Sequence, residues 1–311
     1  MGKWIALIVV GTWFMPVMGS GQNLVWSDTL VMVSLLDPVD SGISLIRFRM
    51  TQDVEYSLSG TSLVFNNWHH GENRNLVSML HHLHYRSLFT NHGNIKIINC
   101  FSHTLGIQYF FDSITRFQPD ENTLDTRIES SIGKNLNFTF FSTLTTRMFN
   151  AYIYQTDQNG SLLKTLSASF LTPLIWTFSA GFGWTFTQLG TFSIGLSAGK
   201  FTWIRNRKVF DQQKTGIFYG IPKEKNHLFE YGFSLHLLVD KDFLNRVRWN
   251  CDLLVFKNAE KPFDLAVKNL IAIRINKYLQ TSIQTRLFYE QQVSKSVQVE
   301  NLLSLGFYVN L

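Results

Sequence analysis

The chain has little charge and no long apolar segment beyond its first twenty residues. Charged residues make up 16% of its 311 residues, against about 25% in a typical soluble protein. No later apolar run reaches the roughly 18–20 residues that a membrane-spanning helix needs. Lysine and arginine are scattered singly, although the formal net charge is +6, so the basic cluster of a nucleic-acid-binding surface is missing. The sequence therefore argues against a helical membrane protein and against a nucleic-acid partner.

Cysteine and the common catalytic motifs are also scarce. Cys100 and Cys251 are the only two cysteines, which excludes a disulfide scaffold or a cysteine-rich zinc site and leaves open whether they pair. The sequence has no Gly-x-Ser-x-Gly elbow, no phosphate-binding glycine loop and no metalloprotease helix motif. None of the common enzyme classes is indicated.

Aromatic residues, by contrast, are abundant. They make up 14% of the chain, with 27 phenylalanines, yet the mean hydropathy is only +0.01. In a transmembrane β-barrel, lipid-facing and lumen-facing residues alternate, so their hydropathies average out. The composition is typical of such a barrel.

Alternation of apolar and polar residues recurs through most of the chain. In 303–311, the odd positions are Leu, Leu, Phe, Val and Leu, and the even positions are Ser, Gly, Tyr and Asn. Because strand side chains point to opposite faces in turn, such a strand has one apolar and one polar face. The pattern predicts about twelve strands long enough to cross a bilayer: 54–65, 75–89, 94–111, 123–132, 136–154, 167–186, 191–204, 227–239, 247–256, 264–276, 279–289 and 297–311.

The connections between these predicted strands alternate in length. In outer-membrane barrels, short turns face the periplasm and longer loops face outside. A secreted β-sandwich, the soluble alternative, does not explain this asymmetry. We therefore predict an all-β, antiparallel, up-and-down transmembrane barrel. The short turns are 90–93, 133–135, 187–190, 240–246 and 277–278, and the longest loops are 112–122, 155–166 and 205–226.

Charged residues fall mainly on the polar faces, which line the lumen of a barrel. The predicted lumen-lining residues are Asp125, Arg127, Glu129, Arg147, Glu230, His236, Arg248, Asp252, Lys268, Arg274, Arg286 and Glu290. Opposite charges on neighbouring strands stabilise their register and fill the interior. The mixed set favours a plugged or narrow lumen, while the slight cationic excess leaves a weak anion preference open.

The first residues are typical of a secretory signal. Lys3 supplies the positive charge, 4–14 the apolar core, and 19–21 a small-residue cleavage site. We predict a signal peptide at 1–21, a periplasmic lead-in or plug segment at 22–52 and the barrel at 53–311. The predicted location is the outer membrane of a Gram-negative bacterium, after signal-peptide-directed export.

Histidines concentrate between residues 69 and 84, where His82 and His84 share one face of a predicted strand. Two imidazoles at this spacing can ligate a metal. Only Glu72 is near them as a further ligand, and Arg86 on the same face opposes a cation. We predict no metal and no other cofactor.

Two serine–histidine combinations are the only candidates for a membrane-embedded hydrolase. They are Ser102 with His103, and Ser87 with His84. Adjacent strand residues face opposite ways, so Ser102 and His103 cannot contact each other. A lipid-modifying enzyme is therefore disfavoured.

Two stretches near the C-terminus are AIRINKYLQTSIQTRLFYE at 272–290 and VQVENLLSLG at 297–306. They resemble a family of uncharacterised Bacteroidota outer-membrane proteins, the domain of unknown function numbered 3078. The family pattern is a strand, an Asn-Lys-Tyr turn, a Ser/Thr-rich strand ending in Tyr-Asp, and a strand with glycine. SLVFNNWHHGEN at 62–73 is similar to an Asn-Trp element near the family's first strand. The usual Tyr-Asp-Asp step is Tyr289-Glu290-Gln291 here. The resemblance implies a barrel in a Bacteroidota envelope assembly and supplies no catalytic residue.

These observations together predict a non-enzymatic outer-membrane barrel. We expect a structural or partner-binding component of an envelope assembly, with 66–73 and 205–226 as outside recognition loops. The alternative is a narrow channel for small polar or anionic solutes. The expected partners are outer-membrane lipid, the barrel-insertion machinery during biogenesis and an envelope protein complex.

Overall fold

The computed structural model describes residues 29–32, 46–63, 76–91, 94–110, 114–156, 162–186, 190–211, 216–243, 246–258, 262–290 and 297–310. The predicted signal peptide and the predicted recognition loop 66–73 lie outside these residues. Within the described part of the chain, no helix is long and apolar enough to cross a membrane.

Strands account for nearly all of the regular structure in these segments. The single helical element among them is a short 3₁₀ helix, η1, at Arg207–Val209. The strands are β1 Thr29–Met32, β2 Ile46–Leu63, β3 Leu76–Thr90, β4 Ile95–Phe110, β5 Ile114–Ser131, β6 Leu136–Thr146, β7 Ala151–Thr156, β8 Leu162–Ala168, β9 Leu174–Phe186, β10 Gly190–Trp203, β11 Ile217–Phe218, β12 Ile221–Pro222, β13 His227–Phe243, β14 Val247–Asn258, β15 Phe263–Arg274, β16 Leu279–Tyr289 and β17 Gln298–Asn310.

Twelve of the described strands form a closed antiparallel barrel. Around the ring the order is β2, β3, β4, β5, β6, β9, β10, β13, β14, β15, β16 and β17, and β17 pairs back onto β2. The barrel strands contain 11 to 18 residues, whereas about 9–11 tilted residues suffice to cross a bilayer. The predicted fold class, an up-and-down transmembrane barrel of about twelve strands, is confirmed.

The barrel is polar inside and apolar outside. On β13, Glu230, Ser234 and His236 are buried, whereas Tyr231 and Phe233 between them are 57% and 54% exposed. A water-soluble fold buries its large apolar side chains instead. A barrel in a bilayer turns its apolar residues to lipid and its polar residues to the lumen, and the exposed phenylalanines therefore mark the lipid-facing surface.

Short turns and long excursions lie at opposite ends of the barrel, as the sequence predicts. One predicted long loop, 112–122, is wrong, because β5 already begins at Ile114. Residues 120–122 pair with β4, and the register shifts between Leu105 and Ile107. Pro119 falls at this bulge, where a missing N–H disturbs the ladder least. A Pro-Asp-Glu-Asn run that looks like a loop is therefore part of a strand.

Two other predicted strands are too long. β6 ends at Thr146 and β9 begins at Leu174, while β7 and β8 pair only with each other. Pro173 directly precedes β9, so the missing N–H of this proline removes no hydrogen bond from the barrel ladder. β7 and β8 are strands, but a local sequence pattern does not specify which sheet a strand joins.

The ring closes through its shortest ladder. β17 and β2 share six residue pairs, from Leu305–Gly60 to Asn310–Glu55. β2 begins at Ile46, inside the predicted lead-in segment, and its first residues pair with β1. Arg49 pairs with Thr29 of β1 and with Thr90 of β3, so β1 lies on the side of β2 that β17 occupies further along. Part of the lead-in thus extends the sheet beyond the end of β17.

Candidate functional site

The charged interior of the barrel is the candidate site. On β5 and β13, where burial alternates most clearly, Arg127, Glu129, Glu230 and His236 lie on the buried face. The predicted lumen-lining residues are placed as follows: Asp125, Arg127 and Glu129 on β5, Arg147 after β6, Glu230 and His236 on β13, Arg248 and Asp252 on β14, Lys268 and Arg274 on β15, Arg286 on β16, and Glu290 directly after it.

Near the middle of the barrel, one carboxylate joins opposite walls. Glu121 on β5 contacts Lys268 on β15, and its Oε2 lies 3.1 Å from Arg286 Nη1 on β16. β5 and β15 are six strands apart in the ring of twelve, which is half of the circumference. The side chains of Glu121 and Arg286 are only 18% and 6% exposed. At this level, side chains therefore meet across the lumen in a largely desolvated ionic contact.

A second contact across the lumen lies toward the short-turn end. Arg86 Nη1 on β3 is 3.5 Å from Asp240 Oδ2 on β13, and these strands are also six apart in the ring. Arg248 Nε on β14 donates to Asp240 Oδ1 at 3.0 Å, and its Nη1 contacts Glu55 on β2. Four charged residues thus tie together four strands from both halves of the barrel.

A third cluster lies toward the long-loop end. Lys200 Nζ on β10 donates to Asp264 Oδ2 at 2.8 Å and to Glu290 Oε1 at 2.7 Å. Glu230 stands opposite Lys200 in the ladder and accepts from Asn258 Nδ2 at 3.1 Å. The buried Lys200 thus links β10 to the carboxylates of Asp264 on β15 and of Glu290 after β16.

Other predicted lumen residues make local contacts. His236 Nε2 lies 2.7 Å from Asp252 Oδ1, and Thr143 Oγ1 donates to Asp125 Oδ1 at 2.6 Å. Arg127 Nε lies 2.7 Å from Glu129 Oε1 on the same strand. These contacts join adjacent strands or residues of one strand, so they fix the wall rather than bridge the lumen.

The excursions at the long-loop end fold into what we call the outer cap, residues 151–156, 162–173, 204–211 and 216–226. Its core packs Leu166 of β8 against Phe210, Phe218 and Ile221. Tyr219 is close enough to Lys200 and Glu290 to interact electrostatically, and burial raises the pKa of its hydroxyl. The outer cap therefore reaches the upper end of the lumen.

Several charged residues in these contacts are missing from the predicted set. They are Glu55, Arg86, Glu121, Lys200, Asp240 and Asp264. Lys200 follows a bulge between Gly195 and Ser197, so the inward positions change from odd to even along β10, and simple alternation places it on the wrong face. Glu121 falls in the wrongly predicted loop.

These additional residues change the charge balance of the interior. The predicted set has six lysines and arginines against five carboxylates. With the residues that the structure adds, the cations number eight and the carboxylates nine. The cationic excess that motivates an anion channel is therefore absent from the enlarged set.

The lumen also contains a serine–histidine contact that differs from both predicted combinations. His84 Nδ1 lies 2.9 Å from Ser102 Oγ on the neighbouring strand. Glu55 stands opposite His84 in the ladder, but its carboxylate contacts Arg248. The carboxylate that would orient the imidazole is thus engaged by a guanidinium, and no catalytic triad is assembled there.

His82 lies two residues before His84 on the same face and makes a contact like that of His84. Its Nδ1 is 2.9 Å from Thr104 Oγ1 on the neighbouring strand. Two such contacts in successive rows are what facing residues on paired strands produce. Among the described residues, no group of three or more His, Cys, Asp and Glu side chains is arranged to hold a metal ion. Glu72 lies outside the described residues.

The two cysteines lie on opposite faces of the wall. Cys100 is close to Arg86 and Asp125 of the lumen, whereas Cys251 alternates with the lumen-facing Asp252 on β14. β4 and β14 are also six strands apart, and both cysteines are free. A disulfide between them is excluded in this fold.

Comparisons with known proteins show similarity at the level of strand arrangement. No family model matches the chain, and no curated protein matches it, so the resemblance to the family numbered 3078 stays a prediction. The translocator domain of the autotransporter NalP from Neisseria meningitidis is similar at 9% identity and a TM-score of 0.36, covering 85% of this chain and 87% of that one.

Two solved channels give similar values. An outer membrane channel from Pseudomonas putida F1 is similar at 12% identity and a TM-score of 0.37, over 89% of this chain and all of that one (100%). The CymD monoaromatic hydrocarbon channel has 6% identity and a TM-score of 0.31, over 84% and 87% of the two chains. At such low TM-scores, these similarities carry no information about function.

Proposed function

We propose that this chain is a non-enzymatic barrel of a Gram-negative outer membrane and acts as a structural or partner-binding component of an envelope assembly. The observation that carries the proposal is the pair of ionic contacts across the lumen, at Glu121 and at Asp240. A pore for solutes needs a lining whose groups are free to exchange with the passing solute. Here the lining charges are engaged with each other, and this arrangement supports a structural interior.

The outer cap supports partner binding at the outside end. It has its own apolar core, so it presents a folded surface. On that surface, Ile217 is 49% exposed, and Lys223 Nζ and Asp211 Oδ1 form an exposed ion pair at 2.7 Å. An exposed apolar residue with charged residues around it is the usual composition of a protein-binding patch. We propose the described part of 205–226 as the recognition surface.

The apolar outer face supports the remaining proposed partners. Its exposed aromatic side chains suit contact with outer-membrane lipid. Barrel-insertion machinery is the partner that we propose for biogenesis, and membership of a Bacteroidota envelope complex is the corresponding proposal from the resemblance to the family numbered 3078.

Site-specific photo-cross-linking in living cells tests the proposal. A benzophenone side chain at Ile217 should give a discrete adduct with another envelope protein after illumination. The matched control places the same group at Phe233, which faces lipid, and should give no protein adduct of that size. A cap that yields no protein adduct, or the same adducts as Phe233, contradicts partner binding through this surface.

A further inference from the structure

A row of polar side chains crosses the lipid-facing surface of four neighbouring strands. Thr285 Oγ1 donates to Asn301 Oδ1 at 3.0 Å, and Trp249 Nε1 donates to Asn269 Oδ1 at 2.7 Å. We call the residues that stand opposite one another in these ladders the outer polar row: Cys251, Asn269, Thr285 and Asn301.

The outer polar row faces outward. On β15 and β16 its members lie one residue from Lys268 and Arg286, whose side chains point into the lumen. On β17, Leu303 shares the face of Asn301 and is 66% exposed. Since successive strand residues point to opposite faces, all of these observations place the row against lipid.

The row lies deep in the apolar surface. Asn269 and Thr285 are four or more residues from either end of their strands, or roughly 13 Å along a strand at about 3.3 Å per residue. Apolar residues precede and follow each of them on the same face, for example Ile283 and Leu287 around Thr285. Lipid headgroups therefore lie too far away to solvate the row.

The amide N–H groups of the row have no acceptor in the described part of the chain. Both hydrogen bonds above use the side-chain oxygens of Asn269 and Asn301, which leaves each amide nitrogen with two donors. An unpaired donor is strongly disfavoured in hydrocarbon, because neither water nor lipid tails can accept from it. Polar groups at such depth usually find a partner in another membrane-embedded protein surface.

We propose that the outer polar row is a lateral interface with a second copy of this chain. The row carries both donors and acceptors, so a copy related by a twofold axis brings amide N–H groups of one row to amide and hydroxyl oxygens of the other. The apolar residues on either side of the row then pack against their equivalents. Two barrels lie side by side in the bilayer, joined through β15, β16 and β17.

A second copy fits better than other occupants. Among the described residues, the outward positions of β15 and β16 carry no Asp, Glu, Lys or Arg, so a charged partner finds no ion pair there. A neutral membrane surface with amide and hydroxyl groups at the same depth is required. The chain itself supplies that surface.

Sedimentation equilibrium of the refolded full chain in density-matched micelles tests the proposal. The wild type should sediment as a dimer. Asn269→Leu and Asn301→Leu should each raise the dissociation constant roughly threefold to tenfold, as expected for loss of a buried inter-segment hydrogen bond. Leucine suits a lipid-facing position, so heat-modifiable gel mobility should show that both variants remain folded.

The matched control is Asn99→Leu on β4, which is five strands from β15. Asn99 also faces outward and accepts from Thr126 Oγ1 at 3.0 Å, so it offers the same chemistry on a different side of the barrel and is the competing interface. If the dimer forms through the outer polar row, loss of Asn99 should leave the dimer unchanged. Oxidation in vesicles should cross-link Asn301→Cys, but not Asn99→Cys, when Cys100 and Cys251 are serine. A monomeric wild type, a dimer unaffected by both leucine variants, or cross-linking at position 99 instead of 301 overturns the proposal.

Discussion

Replacing Glu121 by glutamine should strongly destabilise the barrel. Glu121 contacts Lys268 and lies 3.1 Å from Arg286 Nη1, while Thr123 Oγ1 donates to its Oε1 at 3.2 Å. Glutamine keeps the shape and the acceptor for Thr123 but removes the only carboxylate shown in direct contact with both cations. The variant therefore tests the negative charge of Glu121 separately from the shape of its side chain.

The size of the effect follows from burial. Removing one partner of a buried ion pair costs about 3–5 kcal/mol, because the remaining charge is left uncompensated. Arg286 is 6% exposed, but Lys268 is 31% exposed, and water screens it in part. We therefore expect a loss near the lower limit, about 3 kcal/mol. Replacing Lys268 by glutamine in the same chain should restore part of that loss, with a coupling of about 1–3 kcal/mol.

Guanidinium unfolding in lipid vesicles, followed by tryptophan fluorescence, measures the change. The control is Glu224→Gln in the outer cap, an exposed residue, which should alter the free energy of unfolding by less than about 0.5 kcal/mol. If Glu121→Gln changes stability no more than this control, the contact across the lumen does not hold the walls together and the reasoning is refuted.

Three further substitutions test other parts of the structure. A Cβ at Gly181 would overlap the backbone carbonyl oxygen of Ile194 on β10, so Gly181→Ala should cost about 1–3 kcal/mol; an unchanged unfolding midpoint would show that the strands are not so close. Phe210 is 1% exposed in the cap core, and Phe210→Ala should make the cap sensitive to trypsin, at a cost of about 3–5 kcal/mol to its packing, while the heat-modifiable mobility of the barrel stays normal. Phe233→Arg should cost up to about 2–4 kcal/mol because it faces lipid, and tolerance of arginine there would contradict the orientation of β13.

The sequence predicts the barrel well because its strongest signal is local. On β13, burial alternates residue by residue from Glu230 to His236, as the period-two pattern predicts. Alternation also specifies that Cys100 faces the lumen and Cys251 faces lipid, so the question of their pairing can be answered from the pattern once the barrel is accepted. The number of strands follows from the same signal together with the turn lengths.

The contacts across the lumen do not follow from a local pattern. Whether Glu121 meets Lys268 depends on ring closure and on the stagger of every strand between them, and these are properties of the whole sheet. Lys200 adds a second reason, because a single bulge on β10 reverses the faces after it. The outer cap adds a third reason, since β7 begins inside a stretch predicted to be a barrel strand but pairs only with β8.

The central claim is that the interior is closed by its own ion pairs, and conductance across a planar bilayer tests it most directly. The refolded wild-type protein should insert and give no steady current, and current should appear when Glu121 and Asp240 are both replaced by alanine. Steady conductance from the wild type, with an ion selectivity that shifts in Arg274→Ala or Arg286→Ala, would contradict the claim and identify a channel.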